Sequence, residues 1–330
     1  MLLIATLLMA QAASKEITFK GADGFELNGT LLIPKAAKPV SALLLLPGSG
    51  PMDRDENVLQ AGFKTDVLKQ IAERLAQEGV ATLRFDKRAV AHYRDKWPKD
   101  HSKAGEFFGW DKFVGDAKAG YDYLRAQPEI DPSKVGLLGH SEGSLISLQI
   151  ASDLENTPSR PAGLVLLAGN GRTLDVVLLE QLHAKLPKQA PADQATVMLD
   201  YAEKAVEQIK KDGTVPPNTP PALQGLFNPS SLSILRSYFI TDPIALAKNY
   251  SGDVLIVNGE FDNQVSPERD AQVLYAGLRS RPKGTAEIVI IPGASHGLKA
   301  TTSIEKDAYE GPVLPQAIGA IATWANKHLK

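Results

Sequence analysis

The 330-residue chain contains no cysteine. That absence excludes a disulfide framework, thiolate catalysis and any metal site built on cysteine. The chain also lacks an excess of charge: 36 Lys and Arg stand against 38 Asp and Glu, a formal net charge of −2. There is thus no electrostatic footprint for nucleic acid, and no nucleic-acid partner is expected. Internal repeats and low-complexity tracts are missing as well. The apolar run at the N-terminus, residues 2–10, is too short to cross a bilayer as a helix. What that run has is Ala10-Gln11-Ala12 behind it, an A-x-A-like cleavage site, so residues 1–12 read as a secretory leader. No Lys or Arg precedes the apolar core, as one normally would. The expectation is a mature chain starting at Ala13, exported to the periplasm or beyond the cell; without a working leader the protein would stay in the cytoplasm.

With 43% hydrophobic and 22% charged residues, the chain has the make-up of a folded globular protein. Its length suits one large domain with an insertion. Two short strands are expected at 16–20 and 25–33, joined by a turn at 21–24. Residues 40–46 are almost all apolar, as in a strand buried on both faces. A helix over 63–77 stops at Gly79. A strand at 80–85, a helix at 112–124, a strand at 135–138 and another at 164–167 continue the alternation. From 172 to 246 it stops, and helices are expected at 174–186, 191–211 and 232–239 around a Pro-rich break at 214–221. Strand, helix, strand and helix resume at 253–258, 267–278, 286–291 and 316–328. The expected architecture is α/β: a mostly parallel eight-stranded sheet flanked by helices. Residues 13–171 and 247–330 form its core, and 172–246 a helical cap inserted over the active edge.

The most informative segment is Gly139-His140-Ser141-Glu142-Gly143. A strand enters it and a helix leaves it, the setting of a G-x-S-x-G nucleophile elbow. A turn this tight puts Ser141 on strained backbone, and bulk at Gly139 or Gly143 would collide with neighbouring chain. A serine hydroxyl needs a base, and the base an orienting acid. In this strand order they follow as acid, then histidine. His296, in Pro292-Gly293-Ala294-Ser295-His296-Gly297, is the expected general base. Asp262, after the strand at 253–258, is the expected acid, with Glu260 as the weaker alternative. An oxyanion needs two backbone N–H groups. Glu142 would supply one, and Ser49, in Pro47-Gly48-Ser49-Gly50-Pro51, the other, with Gly50 able to share the role. His92, His101, His140 and His183 show no ligand spacing, so neither a metal nor any other cofactor is expected. His140 and Glu142 should pack or hydrogen-bond locally. The charged runs Asp53-Arg54-Asp55-Glu56-Asn57 and Arg84-Phe85-Asp86-Lys87-Arg88 read as salt bridges holding loops in shape more than as substrate contacts.

These segments together resemble the α/β-hydrolase superfamily, and within it bacterial capped esterases and serine-aminopeptidase-like or acylaminoacyl-peptidase-like hydrolases. The resemblance spans nearly the whole chain after residue 12. It departs at Ala89-Val90-Ala91, where the family has Gly-x-Gly after Asp-Lys-Arg, and at Ser144, where the family has a second glycine. It implies the α/β-hydrolase fold, a Ser141, Asp262 and His296 triad, and hydrolysis of a small carboxylic ester with an apolar acyl part through an acyl-enzyme. Leu178, Leu182, Leu226, Leu232 and Phe239 could line the acyl site. Amide hydrolysis, as by a serine aminopeptidase or an amidase acting on small peptides or acylated amino acids, is the alternative. A non-catalytic binding protein on the same fold would be expected to have lost a triad residue, and none is lost. Haloalkane or epoxide hydrolysis would need Asp where Ser141 stands.

Overall fold

The computed structural model describes residues 12–100, 103–229, 231–306 and 308–329. The expected leader thus lies outside the described residues except for Ala12, and His101 lies outside them too.

Eight strands form one sheet: β1 (Ala13–Lys20), β2 (Glu26–Ile33), β3 (Val40–Leu46), β4 (Ala81–Phe85), β5 (Ile130–His140), β6 (Gly163–Leu167), β7 (Asp253–Gly259) and β8 (Ala286–Ile291). Their spatial order is β1-β2-β4-β3-β5-β6-β7-β8. β1, β2 and β4 pair antiparallel; from β4 to β8 every pairing is parallel. Ten helices accompany them among the described residues: α1 (Val67–Gln77), α2 (Ala104–Phe107), α3 (Trp110–Arg125), α4 (Glu142–Leu154), α5 (Leu174–Gln189), α6 (Ala192–Asp212), α7 (Leu232–Ile240), α8 (Pro243–Asn249), α9 (Gln272–Arg279) and α10 (Pro315–His328).

The run at 40–46 shows why the core has two halves. Strand side chains alternate between faces. Leu44 and Leu46 join the cluster under α3, α4, α8 and α9, whereas Leu43 and Leu45 join the cluster under α1 and α10. Both faces are covered by helices, so an uninterrupted apolar run is what the central strand requires. Helices α5, α6 and α7 build a third cluster around Met198, Ala202, Val206, Ile209, Phe227 and Phe239. They meet the sheet domain at Leu145 of α4 and at the edge-to-face pair Trp110–Tyr238, whose ring centroids lie 5.2 Å apart.

Several local expectations shift for identifiable reasons. The helix expected from residue 63 starts at Val67. Phe63 instead pairs with Val58 as an isolated bridge. The amides of Thr65 and Asp66 donate to Asn57 Oδ1 at 2.7 and 2.9 Å, so they are engaged before a helix can claim them. β5 is much longer than the apolar stretch 135–138, because Ile130 already pairs with Val40 and the register then shifts before Val135. Pro132 sits in that irregular stretch, where no ladder N–H is demanded of it. α8 is not among the expected helices. Its N-cap is Asp242, which accepts from the Ile244 amide at 2.8 Å, and Pro243 is its first residue. The expected insertion boundary at 246/247 falls inside this helix. The helix expected over 267–278 is split, a wider π-type turn (Pro267–Ala271) leading into α9.

The topology also explains where a site can form. After β3 the chain passes through α1 on one face to β4; β5, on the other side of β3, leads into α4 on the opposite face. The winding reverses between β3 and β5. At such a switch point the loops leaving the two strand ends part, and a crevice opens at the carboxyl edge.

Candidate active site

The loops after β3 and β5 carry Ser49 and Ser141. Ser141 lies between the end of β5 and the start of α4, with φ 51° and ψ −116°. This is sparsely populated backbone for a residue with a side chain, and it is held from several directions. The Ser141 amide donates to Leu167 O at 2.8 Å, and the Ser141 carbonyl accepts from the Ser144 amide at 2.9 Å. A Cβ at Gly139 would stand 2.0 Å from Gly143 O, and one at Gly143 would stand 2.2 Å from Leu46 O. Only glycine fits either place. Ser144 fits its own: its hydroxyl donates to Gly139 O at 2.8 Å and contacts Leu167 O at 3.2 Å, tying the elbow to β6.

His296 Nδ1 lies 2.9 and 3.0 Å from the two carboxylate oxygens of Asp262. Asp262 is fully buried and accepts the amides of Gln264 and Val265, both at 2.9 Å. Four donors thus converge on it once Asn258 Nδ2, at 3.4 Å, is included. Helix capping falls to Ser266, which accepts from the Arg269 amide. Glu260 points elsewhere, accepting the Gly293 amide at 2.8 Å and so pinning the start of the histidine loop. Ser141 and His296 share a cavity of about 240 Å³ with Ser49, Met52, Phe63 and Tyr309. No hydrogen bond joins Ser141 Oγ to His296 among the described residues; such bonds often form fully only with substrate in place.

The two expected oxyanion donors come to the same place. Glu142 opens α4, where an N–H has no earlier helical carbonyl to bond. Gly48 cannot serve, because its amide already donates to Glu56 Oε1 at 2.7 Å. Ser49 follows it and lines the cavity beside Ser141. Gly50, at φ 91°, makes the turn that follows.

A second cavity, of about 270 Å³, opens from Ser141 towards the cap. Leu145, Leu174, Val177, Leu178, Leu226 and Leu235 give it an apolar wall, while Tyr238, Asn170 and Gln181 add polar groups. Of the five residues expected to line an acyl site, Leu178 and Leu226 border this cavity. Leu182, Leu232 and Phe239 serve the packing of the cap instead. Ser49, Ser141 and Gln264 border both cavities. Gln264 had no sequence signal. Its carbonyl accepts from Gln181 of α5 at 2.8 Å and its side chain reaches Tyr309 at 3.0 Å, so it joins cap, acid loop and far wall.

The charged runs divide in two. Arg54 pairs with Asp86 at 2.6 Å, Arg84 with Asp55, and Arg88 is buried against Asp116 at 2.7 Å; these brace the loops. Lys87 and Glu56 turn inward. Lys87 Nζ reaches Glu142 Oε1 at 2.6 Å and Gly48 O at 3.1 Å, with all its partners buried. Burial raises the pKa of the Tyr238 phenol well above its usual value, and the nearby Glu142 carboxylate raises it further, so this hydroxyl stays neutral. Val90, in the segment that departs from Gly-x-Gly, is a core residue. His92 lies near Asp86 and His183 near Glu203 in the cap. Among the described residues no three His, Asp or Glu side chains converge as metal ligands would.

Known proteins resemble this chain in sequence and in fold. The family "Serine aminopeptidase, S33" matches residues 62–224. The esterase EstD of Thermotoga maritima is 27% identical over 321 residues, 95% of this chain and 67% of that protein. Among solved structures, Est1E of Butyrivibrio proteoclasticus with ferulic acid bound superposes with a TM-score of 0.58 at 16% identity, over 95% of this chain and 99% of that one. A puromycin-hydrolyzing peptidase of Mycobacterium tuberculosis superposes with a TM-score of 0.59 at 15% identity, over 99% of this chain and 42% of that one.

Proposed function

We propose that this chain, which has the α/β-hydrolase fold and esterase- and peptidase-like relatives, is a serine hydrolase that cleaves small carboxylic esters through an acyl-enzyme. The observation that carries the reading is the strained Ser141 at the head of α4, in one cavity with a His296 whose Nδ1 is held by buried Asp262. Ser141 Oγ attacks the acyl carbon and gives its proton to His296 Nε2. Asp262 fixes the ring tautomer, with Nδ1–H towards the carboxylate, and stabilises the imidazolium that forms. The N–H groups of Ser49 and Glu142 receive the oxyanion. The tetrahedral intermediate collapses as His296 returns the proton to the alcohol oxygen. Water, activated by the same imidazole, then releases the acid.

The two cavities divide the substrate. The departing oxygen takes its proton from His296, so the alcohol part lies in the cavity His296 lines, against Met52, Phe63 and Tyr309. The acyl part then lies on the cap side, against Leu178, Leu226 and Leu235. A small apolar acyl group suits that wall. Aminopeptidase action on an unblocked terminus would place an ammonium beside a free carboxylate. The carboxylate bordering the cap-side cavity, Glu142, is already neutralised by Lys87, which favours the ester. The leader reading supports export as a further part of this proposal.

Labelling with a fluorophosphonate tests the mechanism, and Ser141→Ala is expected to abolish it and to lower ester kcat on the order of 10⁶-fold, as loss of a triad serine does. Unlabelled wild-type protein, or equal labelling of the variant, would refute the mechanism. Aminoacyl amides turned over faster than matched esters would make the protein an amidase.

A further inference from the structure

His140 precedes the proposed nucleophile, is buried, and is not part of the proposed triad. Both of its ring nitrogens face oxygen. Nδ1 lies 2.6 Å from Glu56 Oε1, and Nε2 lies 3.0 Å from the backbone carbonyl of His296. That carbonyl can only accept, so Nε2 carries a proton. Glu56 Oε1 also accepts the Gly48 amide at 2.7 Å, and the His140 and His296 rings lie 4.8 Å apart. One carboxylate and one imidazole therefore join three segments far apart in sequence: the loop after β3, the elbow, and the histidine loop.

We propose that His140 is held as an imidazolium by Glu56 and is a positioning residue, its Nε2–H fixing the His296 loop over Ser141 while the shared carboxylate fixes the oxyanion loop. The inference rests on reading Ser141 and His296 as nucleophile and base. Burial by itself would lower the His140 pKa; the Glu56 charge and hydrogen bond, with the His296 carbonyl, outweigh it and raise the pKa above the usual histidine value. The charged or titratable groups facing the ring are Glu56, Asp262 and His296. The Glu56 charge also reaches Lys299, which is buried behind it. The competing proton arrangement is a neutral pair, with the proton on Glu56 and Nδ1 bare.

The sign of the pH dependence follows. A raised folded pKa means that the brace is intact below the ordinary histidine pKa and is lost as pH rises through the folded one. Losing the Nδ1 proton leaves Nδ1 and the Glu56 carboxylate as two acceptors 2.6 Å apart; losing the Nε2 proton turns that lone pair on the His296 carbonyl. Ester turnover should therefore have an alkaline limb that belongs to His140.

The experiment begins with ¹⁵N-histidine NMR of the wild-type protein. His140, assigned by its loss in His140→Gln, is expected to show both ring nitrogens protonated at pH 7. Glu56→Gln is the kinetic arm. Its side-chain oxygen must still receive Gly48 N–H, so it takes Nδ1–H from a neutral ring and leaves Nε2 as a lone pair against the His296 carbonyl. kcat is expected to fall on the order of 10- to 100-fold, the scale of misplaced reacting groups, with KM little changed and the alkaline limb moved to lower pH. A neutral His140 in the wild type, or a folded Glu56→Gln with unchanged kcat and alkaline limb, would overturn the proposal. The ring spectrum involves no turnover, so it can fail while fluorophosphonate labelling of Ser141 succeeds, and the reverse.

Discussion

At the scale of single residues, the elbow is governed by close contact. Ser141 keeps φ 51° because its amide, its carbonyl and both flanking glycines leave no other path. The two glycines were legible in the sequence because their role is local: strand, turn and helix follow within a dozen residues. Gly143→Ala is expected to lower the free energy of unfolding by about 3 kcal/mol, since the new methyl meets the backbone of β3 and not a side chain that can swing away. Urea unfolding measures this; a loss near zero would mean that the elbow opens freely. The partners of His140 and Glu142 were not legible. Glu56 lies 84 residues from His140 and Lys87 lies 55 from Glu142, and nothing in the spacing of charges tells which member of a run turns inward. Burial supplies the reason they pair. A desolvated carboxylate and a desolvated cation must find each other or move out to water. The sequence expectation that the charged runs serve structure fits Arg54, Arg84 and Arg88, and it fits Lys87 and Glu56 as well, whose partners lie beside Ser141.

At the scale of elements, periodicity located most helices, but their ends were set by competitors for the same amides. α1 starts late because Asn57 takes the amides of Thr65 and Asp66. α8 was hidden because it is short and follows the cap helices with only Asp242-Pro243 as a start signal. The cap itself was readable as a stretch with helical spacing and no strand pattern. Which of its leucines border the cavity beside Ser141 was not, because packing within a three-helix layer and lining a cavity demand the same side chains. Leu178 and Leu226 are distinguished only by where α5 and the turn before α7 come to rest over Ser141. Leu178→Trp should fill the cap-side cavity and shift preference to shorter acyl groups. We expect kcat/KM for a long-chain acyl ester to fall by roughly 10-fold or more relative to the acetate of the same alcohol. A series of acyl lengths on one alcohol measures it, and an equal loss at every length would remove Leu178 from the acyl side.

At the scale of the whole molecule, β1 begins at Ala13, which pairs with Ile33, so cleavage after Ala12 would leave all eight strands complete. Expressed in a host that recognises the leader, the protein recovered outside the cytoplasm should begin at Ala13 by N-terminal sequencing; recovery only in the cytoplasm with Met1 in place would refute export. The fold class, and a candidate nucleophile, acid and base in the order Ser141, Asp262 and His296, could be read from the residues alone, because alternation of apolar runs, a glycine-locked turn and the sequence of strand ends are properties of neighbouring residues. Tertiary structure decided the rest. It set the winding reversal between β3 and β5 that brings Ser49 beside Ser141, the division of the site into a His296 side and a cap side, and the Glu56–His140 link across three loops. These depend on which segments pack against each other at a distance in the chain, and that is fixed by the joint burial of the whole sheet and not by any one stretch of it.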